Sequence, residues 1–458
     1  MKGRLRLRGL NPRVHTMTEV TFHDYSKLGG DEKAALLRRS ETDISTFIEK
    51  VAPILEAVRT EGDRAVARFG RDLDKADVSE DKIKVTEAEF DAAFKAVSED
   101  VIEAITFGIE NIRHFHEEQK PEAMWLKEIK PGAFAGDRFT PIKSVALYVP
   151  RGKGSFPSVT MMTSVPAVVA GVPDLAIVTP PAPDGGVDAA TLVAARLAGV
   201  KTVYKVGGAQ AVAAVAYGTE TIKPALKIVG PGSPWVVAAK RSLAGIIDTG
   251  LPAGPSEAII FADDTLHGGL AALDLLIEAE HGPDSSAYLV THSRRVADEA
   301  LAALPDHWAR MTEQRVQFSS MVLSGKCGGI ILTSSVEESY DFINAYAPEH
   351  LEILSTDPFA HLGHITEAAE ILLGPHTPVS IANFCLGPNA VLPTSRWART
   401  FGPLSVTDFV KRSSIGYVTA PAYPEFAKRA HKLAEYEGFS SHAHAVSAVR
   451  DTYLPKRG

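Results

Sequence analysis

Short apolar segments alternate with helical segments from residue 144 onward, and this alternation most constrains the fold. Residues 191–197, for example, have a helical pattern between two such segments. The segments expected to be strands lie at 144–149, 175–179, 202–206, 227–229, 246–247, 258–261, 287–291 and 329–332. Strands that alternate with helices in this way predict parallel sheets with β-α-β crossovers.

The strands fall into two sets separated by the loop at 251–256, which predicts two α/β units with a cleft between them. Before them, residues 43–69 have helical periodicity that is interrupted at Pro53 and broken at Gly62. Residues 85–116 are also expected to be helical, and Thr86 with Glu89 forms a predicted capping box. The expected organisation is an N-terminal arm at 1–42, a first α/β domain at 43–144 with 256–405, a second at 145–255, and a C-terminal tail at 406–458.

Composition narrows the possible functions. The formal charge of −8 and the pI of about 6.0 argue against a nucleic-acid-binding protein. The two cysteines, Cys327 and Cys385, provide no disulfide framework, and no apolar run approaches the length of a membrane span. We therefore expect a cytoplasmic protein without membrane or nucleic-acid partners. The basic leader lacks the apolar core of a signal peptide, and Met17 is an alternative start.

A glutamate and a histidine close a buried helical run. Glu278 and His281 are three residues apart, and Gly282-Pro283 follows them. At this spacing both side chains point to one side of the helix, where a carboxylate and an imidazole make half of a divalent metal site. A solvated or hydrogen-bonded pair is the commoner meaning of the spacing, so this prediction depends on the rest of the chain.

A second pair, Glu349 and His350, lies between Pro348 and Leu351. We expect the pair in a loop or a first helical turn, where adjacent side chains point in different directions and contact different atoms. Histidine titrates near neutral pH and suits proton abstraction from an alcohol, while glutamate can activate water in a separate step. A hydrogen-bonded surface pair is the alternative.

Turn-rich segments supply further candidates. The glycine turn at 207–210 ends a strand and opens a helix, so its N–H groups can receive an anion, although it lacks the GxGxxG pattern. Arg151 and Lys153 flank glycines at another strand end and can bind a cofactor phosphate, bind an anionic substrate, or remain solvated. Asn383 can offer its carbonyl oxygen to a metal.

The tail at 421–458 is expected to consist of short helices and turns, and to be too small for a core of its own. It contains two histidines, His442 and His444, between which residue pattern alone does not choose. Such a segment, rich in ligand-type residues, is expected to pack elsewhere, for instance on a second subunit.

Four segments taken together resemble histidinol dehydrogenase, a zinc- and NAD-dependent enzyme family. They are PAGPSE at 252–257, EHGPDS at 280–285, APEHLE at 347–352 and VLPT at 391–394, and the resemblance runs from about residue 43 to 444. It implies two incomplete Rossmann-like parallel-sheet domains with helical N-terminal and C-terminal extensions. It also implies an intertwined homodimer whose tail completes the partner's site.

The resemblance also implies roles for individual residues. Glu349 and His350 would be the catalytic pair, and Ser256 and Glu437 would contact substrate. The implied metal ligands are Glu278, His281, Asn383 and His442, and the implied NAD contacts are Tyr148, Gln210 and Ser233.

The chain departs from the family pattern in its metal shell. The family's usual glutamine ligand is Glu278 here and its usual aspartate ligand is Asn383, so one carboxylate and one amide remain and a metal site should survive. A family histidine is Ala390, and a family asparagine at the NAD position is Ser233. In that family the metal holds the imidazole and amine of histidinol, so these changes argue against histidinol as the substrate.

The departures resemble those of the sulfopropanediol 3-dehydrogenase branch, which oxidises 2,3-dihydroxypropane-1-sulfonate to sulfolactate with NAD. A sulfonate needs fixed cations or N–H donors, and Arg151, Lys153 and Arg396 are candidates. The implied reaction is a four-electron oxidation of a small polar primary alcohol through the aldehyde to the acid. Histidinol and other small polar alcohols are alternatives.

In the implied mechanism His350 removes the hydroxyl proton and Glu349 assists addition of water to the bound aldehyde. A metal-dependent hydrolase or lyase without a nicotinamide, and a non-catalytic sensor, are the rival classes. The sequence leaves open the exact substrate, the metal, the choice between NAD and NADP, and whether the tail acts in cis or in trans.

Overall fold

The computed structural model describes residues 19–38, 44–151 and 154–454. The chain forms two compact units, the first from Met1–Gln119 and Ile142–Phe409 and the second from Lys120–Pro141 and Val410–Gly458. Residues 1–18 of the predicted arm, Met17 among them, and Lys153 lie outside the described residues.

Strands and helices alternate through most of the chain. The strands are β1 (Phe22–Asp24), β2 (Met124–Lys130), β3 (Ala133–Pro141), β4 (Ser144–Tyr148), β5 (Asp174–Thr179), β6 (Thr202–Lys205), β7 (Lys227–Val229), β8 (Glu257–Ala262), β9 (Ser286–Thr291), β10 (Gly328–Leu332), β11 (His350–Leu354), β12 (Glu370–Leu373) and β13 (Val410–Val418). The helices are α1 (Gly30–Leu36), α2 (Ser45–Glu61), α3 (Asp63–Asp72), α4 (Glu87–Ala96), α5 (Glu99–Gln119), α6 (Pro157–Ala170), α7 (Ala189–Ala198), α8 (Gly208–Tyr217), α9 (Pro234–Leu243), α10 (Gly268–Ala279), α11 (Arg294–Trp308), α12 (Glu313–Leu323), α13 (Val336–Tyr346), α14 (Phe359–Leu362), α15 (Val379–Ile381), α16 (Tyr423–Tyr436) and α17 (Ser440–Ala445).

The larger sheet of the first unit has the strand order β1-β10-β9-β8-β11-β12, and all its neighbouring strands are parallel. The chain leaves β8 to form β9 and β10 on one side and later returns to form β11 and β12 on the other. The smaller sheet has the order β6-β5-β4-β7, also parallel throughout. The predicted α/β class with parallel sheets is confirmed.

Three strands of the larger sheet, β1, β11 and β12, were not predicted, and β1 lies in the predicted N-terminal arm. Residues 349 and 350 were expected in a loop or helical turn; Glu349 does lie in the bend before β11, but the expectation is wrong for His350, which opens the strand. Leu351 and Ile353 face one apolar cluster, while His350 and Glu352 alternate with them and point to the other face. The apolar alternation after Pro348 is therefore that of a strand.

Residues 246–247, predicted to be a strand, instead form a turn after α9. The N–H groups of Ile246 and Ile247 donate to Leu243 O at 2.8 and 3.0 Å. Ile246 is 57% exposed, so it lacks the burial that would favour a central strand.

The N-terminal helices pack on the smaller sheet. Val58 on α2 and Val66 on α3 share one core with Tyr148 and Val212. The assignment of these helices to the domain at 256–405 is therefore wrong, because their apolar faces cover the sheet formed by 144–229. The predicted break at Gly62 is confirmed: its φ is +57° and an added Cβ would lie 2.2 Å from Glu220 Oε2. At Pro53, α2 continues without the expected interruption.

The second unit contains an antiparallel sheet with the order β13-β3-β2. Strand β13 pairs with β3 from Val410↔Pro141 to Val418↔Ala133. Residues 120–141 therefore belong with the tail, not with the first α/β domain as predicted, and the tail begins with a strand before its predicted helices. The other predicted domain boundaries remain predictions.

The interior of the second unit is small. Among its described residues the buried apolar side chains are Ala133, Ala427, Ala434 and Ala443. Larger apolar side chains are exposed: Trp125 by 39%, Ile129 by 63% and Tyr436 by 92%.

Across the described part of the chain, no helix is both long and apolar enough to cross a membrane.

A buried histidine in the first unit gives a prediction for acid stability. His116 is fully buried, its Nε2 lies 3.2 Å from Asn389 Nδ2, and burial lowers its pKa to about 4. Because unfolded histidine titrates near pH 6.5, the unfolded chain binds a proton at His116 between pH 6.5 and pH 4, and the folded chain does not. We expect the free energy of unfolding to be undiminished above pH 6.5 and to fall by about 3 kcal/mol as the pH drops to 4.

Urea denaturation of wild type and His116→Gln across this pH range measures the effect. Glutamine keeps an acceptor for Asn389 but does not titrate, so the variant should lose less stability on acidification. An equally steep loss in both proteins would contradict the assignment.

Candidate active site

The end of α10 and two loops bring three of the four predicted metal ligands together. Asn383 Nδ2 donates to Glu278 Oε1 at 3.1 Å, and Glu278 Oε2 lies 3.0 Å from His281 Nδ1. The predicted substrate residue Ser256 joins them, with its Oγ 3.0 Å from the same nitrogen. Glu278, His281, Asn383 and Ser256 are called the ligand cluster below.

Local structure explains this arrangement. Helix α10 ends at Ala279, and the N–H of His281 donates to Glu278 O at 3.2 Å, which prolongs the last turn and keeps the two side chains together. Asn383 lies in a single π turn, Ala382–Leu386, whose Cys385 O accepts a hydrogen bond from Asn111 Nδ2 at 2.8 Å. Such turns locally widen a helix and frequently carry functional side chains.

The fourth predicted ligand and a predicted substrate residue belong to the second unit. His442 is exposed on α17, with its ring centroid 5.2 Å from that of Phe439. Glu437 is exposed at the C-cap of α16, and the rival His444 lies on α17. The roles of His442 and Glu437 remain predictions.

The predicted catalytic pair sits at the start of β11, next to a third carboxylate. His350 Nδ1 lies 2.6 Å from Glu370 Oε2 in a buried hydrogen bond, and its Nε2 lies 4.0 Å from Glu349 Oε1. Glu349 Oε2 accepts a hydrogen bond from the N–H of Glu257 at 2.8 Å. The parallel register places His350 opposite Glu370, which explains why the two meet.

Burial of these carboxylates shifts their titration. Burial raises the pKa of Glu349 well above its ordinary value, and the charges of Glu278 and Glu257 add to the shift. Burial would lower the pKa of His350, but the hydrogen bond and charge of Glu370, with the charges of Glu278 and Glu349, raise it to about 10. Burial would raise the pKa of Glu278, but His281, His350 and hydrogen bonds hold it below its ordinary value. The site thus concentrates negative charge around one imidazole.

A further buried pair lies one layer deeper. Asp274 is one turn before Glu278 on α10, and Glu352 is two residues after His350 on the same face of β11. Burial raises the pKa of both carboxyl groups, and the charge of Asp274 adds to the shift of Glu352. Both oxygens of Glu352 are buried without a hydrogen bond of good geometry. The pair therefore adds two buried carboxyl groups to the elements that carry Glu278 and His350.

The sequence analysis missed Glu370, Glu257, Asp274 and Glu352. Glu257 and Glu370 each open an apolar strand, and an acidic residue at the first position of a buried strand is the pattern that could have revealed them. Glu352 interrupts the apolar alternation of β11.

The predicted cofactor residues lie at the carboxyl ends of the smaller sheet. Tyr148 ends β4, and its hydroxyl accepts a hydrogen bond from the N–H of Gly208 at 3.1 Å. Gln210 is on the first turn of α8 and is 1% exposed, and Ser233 is the N-cap residue of α9 after β7. Arg151 follows β4, with Nη1 3.3 Å from Pro181 O, which favours the cofactor side over the substrate side for this residue. Ligands of open parallel sheets bind at these strand ends, where the strand order reverses.

A strained loop carries Arg396 near the carboxylates. Ser395 and Arg396 have φ of +54° and +65°, and the N–H of Ser395 donates to Glu257 Oε1 at 2.9 Å. Two consecutive non-glycine residues in the left-handed region cost about 1–3 kcal/mol each, so the surrounding contacts must hold them there.

The predicted metal ligands can be judged by their chemistry. Among the described residues, no group of three or more His, Cys, Asp and Glu side chains is arranged to hold a metal. Of the three predicted ligands that meet, one, Asn383, is an amide. Glu278 Oε2 is buried yet receives no hydrogen bond of good geometry. One carboxylate, one imidazole and one amide oxygen suit a divalent ion, and a fourth ligand would complete a tetrahedral shell.

Comparison with known proteins shows which family the chain belongs to. A model of the histidinol dehydrogenase family matches residues 37–450. The chain belongs to the histidinol dehydrogenase family. It is a family dehydrogenase, and histidinol dehydrogenases as a family depend on NAD and zinc.

Individual relatives agree with this placement. The chain is 85% identical to the histidinol dehydrogenase homolog of Rhizobium meliloti over 96% of this chain and 97% of that protein. It is 48% identical to the histidinol dehydrogenase of Synechocystis over 90% and 94% of the two chains. The crystal structure of histidinol dehydrogenase from Elizabethkingia anophelis matches with a TM-score of 0.88 at 31% identity, covering 96% and 99% of the chains.

The ligand cluster of this family member gives a prediction about charge. Glu278→Gln should weaken zinc binding about tenfold or more, because the cluster then retains no carboxylate. Adding Asn383→Asp to that variant should restore binding, since it returns the carboxylate from the opposite side. Competition with a chromophoric chelator measures both affinities.

Glu278→Ala serves as the matched control, because it removes the ligand atom as well as the charge and Asn383→Asp should rescue it only in part. Equal zinc affinity in wild type, Glu278→Gln and Glu278→Ala would show that Glu278 is not a ligand.

Proposed function

We propose that this protein is a zinc- and NAD-dependent dehydrogenase that oxidises a small polar primary alcohol through the aldehyde to the acid. The observation that carries the proposal is the juxtaposition of the ligand cluster with His350, Glu349 and Glu370, all buried at the start of neighbouring strands. A base, a separate carboxylate and a cation site together suit two successive oxidations.

Glu278, His281 and Asn383 would hold the zinc ion, and the predicted fourth ligand is His442 of the tail. Bound zinc would supply a Lewis acid for the substrate hydroxyl and a positive charge that offsets the buried carboxylates. Ser256 would contact substrate, as its hydroxyl beside His281 allows.

His350 is proposed to accept the hydroxyl proton at Nε2, because Nδ1 is engaged by Glu370. Glu370 fixes the ring orientation and stabilises the imidazolium that proton abstraction produces. In the described structure this imidazolium is already favoured by three carboxylates, so the base function needs the cation that offsets them.

Glu349 is proposed to take a proton from the water that adds to the aldehyde. A carboxylate whose pKa is raised by burial is a stronger base than an exposed one, so its environment suits this step. The N–H of Glu257 holds one oxygen of Glu349 and leaves the other toward His350.

The dinucleotide is proposed to bind at the carboxyl ends of β4, β6 and β7. Tyr148, Gln210 and Ser233 lie there, and Arg151 can contact a phosphate. Gly230 must be a glycine, because its φ is +122° and an added Cβ would lie 2.1 Å from Tyr148 O. This close approach keeps the crevice narrow between the loops that follow β4 and β7.

The proposed substrate is 2,3-dihydroxypropane-1-sulfonate, with sulfolactate as the product. This chain has Glu278 where the family has glutamine, Asn383 where it has aspartate, and Ala390 where it has histidine. These differences alter the residues that would hold the imidazole of histidinol. Arg396, on the strained loop beside Glu257, supplies a fork of donors for a sulfonate. Histidinol is the second candidate, favoured by the 48% identity to the Synechocystis histidinol dehydrogenase.

The functional molecule is proposed to be a homodimer in which the tail acts in trans. The second unit buries alanines alone among its described apolar residues while exposing Trp125, Ile129 and Tyr436. Exposed aromatic and aliphatic side chains around so small an interior are typical of a protein–protein contact surface.

A screen of NAD reduction tests the proposed function. Zinc-loaded enzyme is offered 2,3-dihydroxypropane-1-sulfonate, histidinol or propane-1,2-diol, with and without a chelator, and reduced nicotinamide is followed by absorbance. We expect two equivalents of reduced NAD per sulfonate consumed, loss of activity with the chelator, and a fall of about 10²–10⁴-fold in His350→Asn. Hydrolysis or elimination without NAD reduction would favour the rival enzyme class, and activity on histidinol alone would reverse the substrate order.

Arg396 provides a separate test of the sulfonate. Arg396→Ala should raise KM for 2,3-dihydroxypropane-1-sulfonate by about 10–100-fold, because a charge-assisted hydrogen bond to an anion is lost. The KM for a neutral diol should stay unchanged, and Arg396→Lys, which keeps the charge but loses the fork, should be intermediate. A parallel rise for both substrates would assign Arg396 to the shape of the loop instead.

A further inference from the structure

A residue from outside the α/β core reaches the proposed cofactor crevice. Asp74 lies in the loop after α3, and its Oδ2 accepts a hydrogen bond from Gln210 Nε2 at 3.0 Å. Asp74 is half-buried, whereas Gln210 is 1% exposed. The contact therefore ties the N-terminal helices to the first turn of α8.

This contact decides which end of the Gln210 amide is available. A carboxylate only accepts hydrogen bonds, so the NH₂ group of Gln210 must face Asp74 and its carbonyl oxygen must point away. That oxygen, Oε1, is buried and has no hydrogen-bond partner in the described structure. A buried carbonyl oxygen without a donor is costly unless a ligand supplies one.

Gly208 makes room for this oxygen. Its φ is +60°, and an added Cβ would lie 2.6 Å from Gln210 Oε1. The N–H of Gly208 is occupied by Tyr148 OH at 3.1 Å, so it does not satisfy Oε1. The acceptor is thus held at the start of α8, beside the predicted NAD contact Tyr148.

We propose that Asp74 is a positioning residue for the cofactor, because it orients Gln210 so that Oε1 accepts a hydrogen bond from a hydroxyl or carboxamide donor of the dinucleotide. The inference deepens the proposed function and depends on NAD binding at this crevice. No residue implied by the family resemblance lies in the loop that carries Asp74.

The titration of Asp74 predicts a pH dependence of cofactor binding that a purely structural role of this residue would not produce. Burial raises the pKa of Asp74 to about 6, opposed by the hydrogen bond from Gln210 and the charge of Arg151. Among the described residues, the phenol of Tyr148 also faces Asp74, and burial raises its pKa and keeps it neutral. Below pH 6 the protonated Asp74 can donate to the amide, and the fixed orientation of Gln210 is lost.

Direct binding of NADH, measured by its fluorescence on the zinc-loaded enzyme, tests the inference. Asp74→Asn should weaken binding about tenfold, because an amide allows either orientation of Gln210. Wild-type affinity should fall as the pH drops through 6, and the Asp74→Asn variant should lack this dependence. Asp77→Asn, an exposed carboxylate of the same loop, should match wild type.

The outcomes separate the two proposals. Wild type that does not bind NADH would overturn the proposed function and the inference with it. Wild type that binds NADH, with equal affinity and equal pH dependence in Asp74→Asn, would overturn the inference alone. If circular dichroism shows that Asp74→Asn does not fold, the NADH affinities of wild type and Gln210→Ala are compared as a function of pH. A fall in affinity near pH 6 that is present in wild type and absent in Gln210→Ala supports the inference. Any other pair of profiles overturns it.

Discussion

Buried negative charge is the constraint on which the rest of the site depends. Glu257, Glu278, Glu349 and Glu370 are each less than one-tenth exposed, and the last three raise the pKa of His350. Removing carboxylates from water is expensive unless hydrogen bonds or cations compensate. Part of that compensation comes from backbone N–H groups, from Asn383 and from the imidazolium of His350. The negative charge that they leave uncompensated would suit a divalent cation.

The two parallel sheets carry their candidate site residues at opposite ends. In the larger sheet, the first residues of three strands, Glu257, His350 and Glu370, provide carboxylate and imidazole groups at the amino end. In the smaller sheet, the loops after β4, β6 and β7 provide the glycine-rich crevice at the carboxyl end, where parallel sheets usually bind nucleotides. The proposed metal site and the proposed dinucleotide site therefore use opposite ends of the two parallel sheets.

Much of the fold could be predicted from local pattern, because the smaller sheet consists of continuous apolar runs. The strand β11 was not predicted because two of its alternating positions are His350 and Glu352, residue types that are uncommon in a fully buried strand. The sheet of the second unit was not predicted because the residues of β2 are exposed throughout and because β13, which pairs with β3, is distant in sequence.

The ligand cluster was predicted through family resemblance more than through spacing, since a Glu-His pair three residues apart is common. The three predicted metal ligands of the first unit, Glu278, His281 and Asn383, do meet. Glu370 and the Asp274–Glu352 pair could not be found in this way, because their roles depend on strand register and on which helix covers the sheet, and neither is encoded locally. The Asp74–Gln210 contact joins positions 136 apart and has no sequence pattern of its own.

The alanine-only interior of the second unit bears on how the chain behaves on dilution. Four methyl groups remove little apolar surface from water, so the hydrophobic stabilisation within this segment is small. Further stabilisation would come from a surface that its exposed tryptophan, isoleucine and tyrosine cover. Where that covering surface is another copy of the chain, mass action governs how much of the segment stays ordered. The histidines and glutamate it carries would then be delivered only in the assembled form, which would make catalytic competence itself a function of protein concentration.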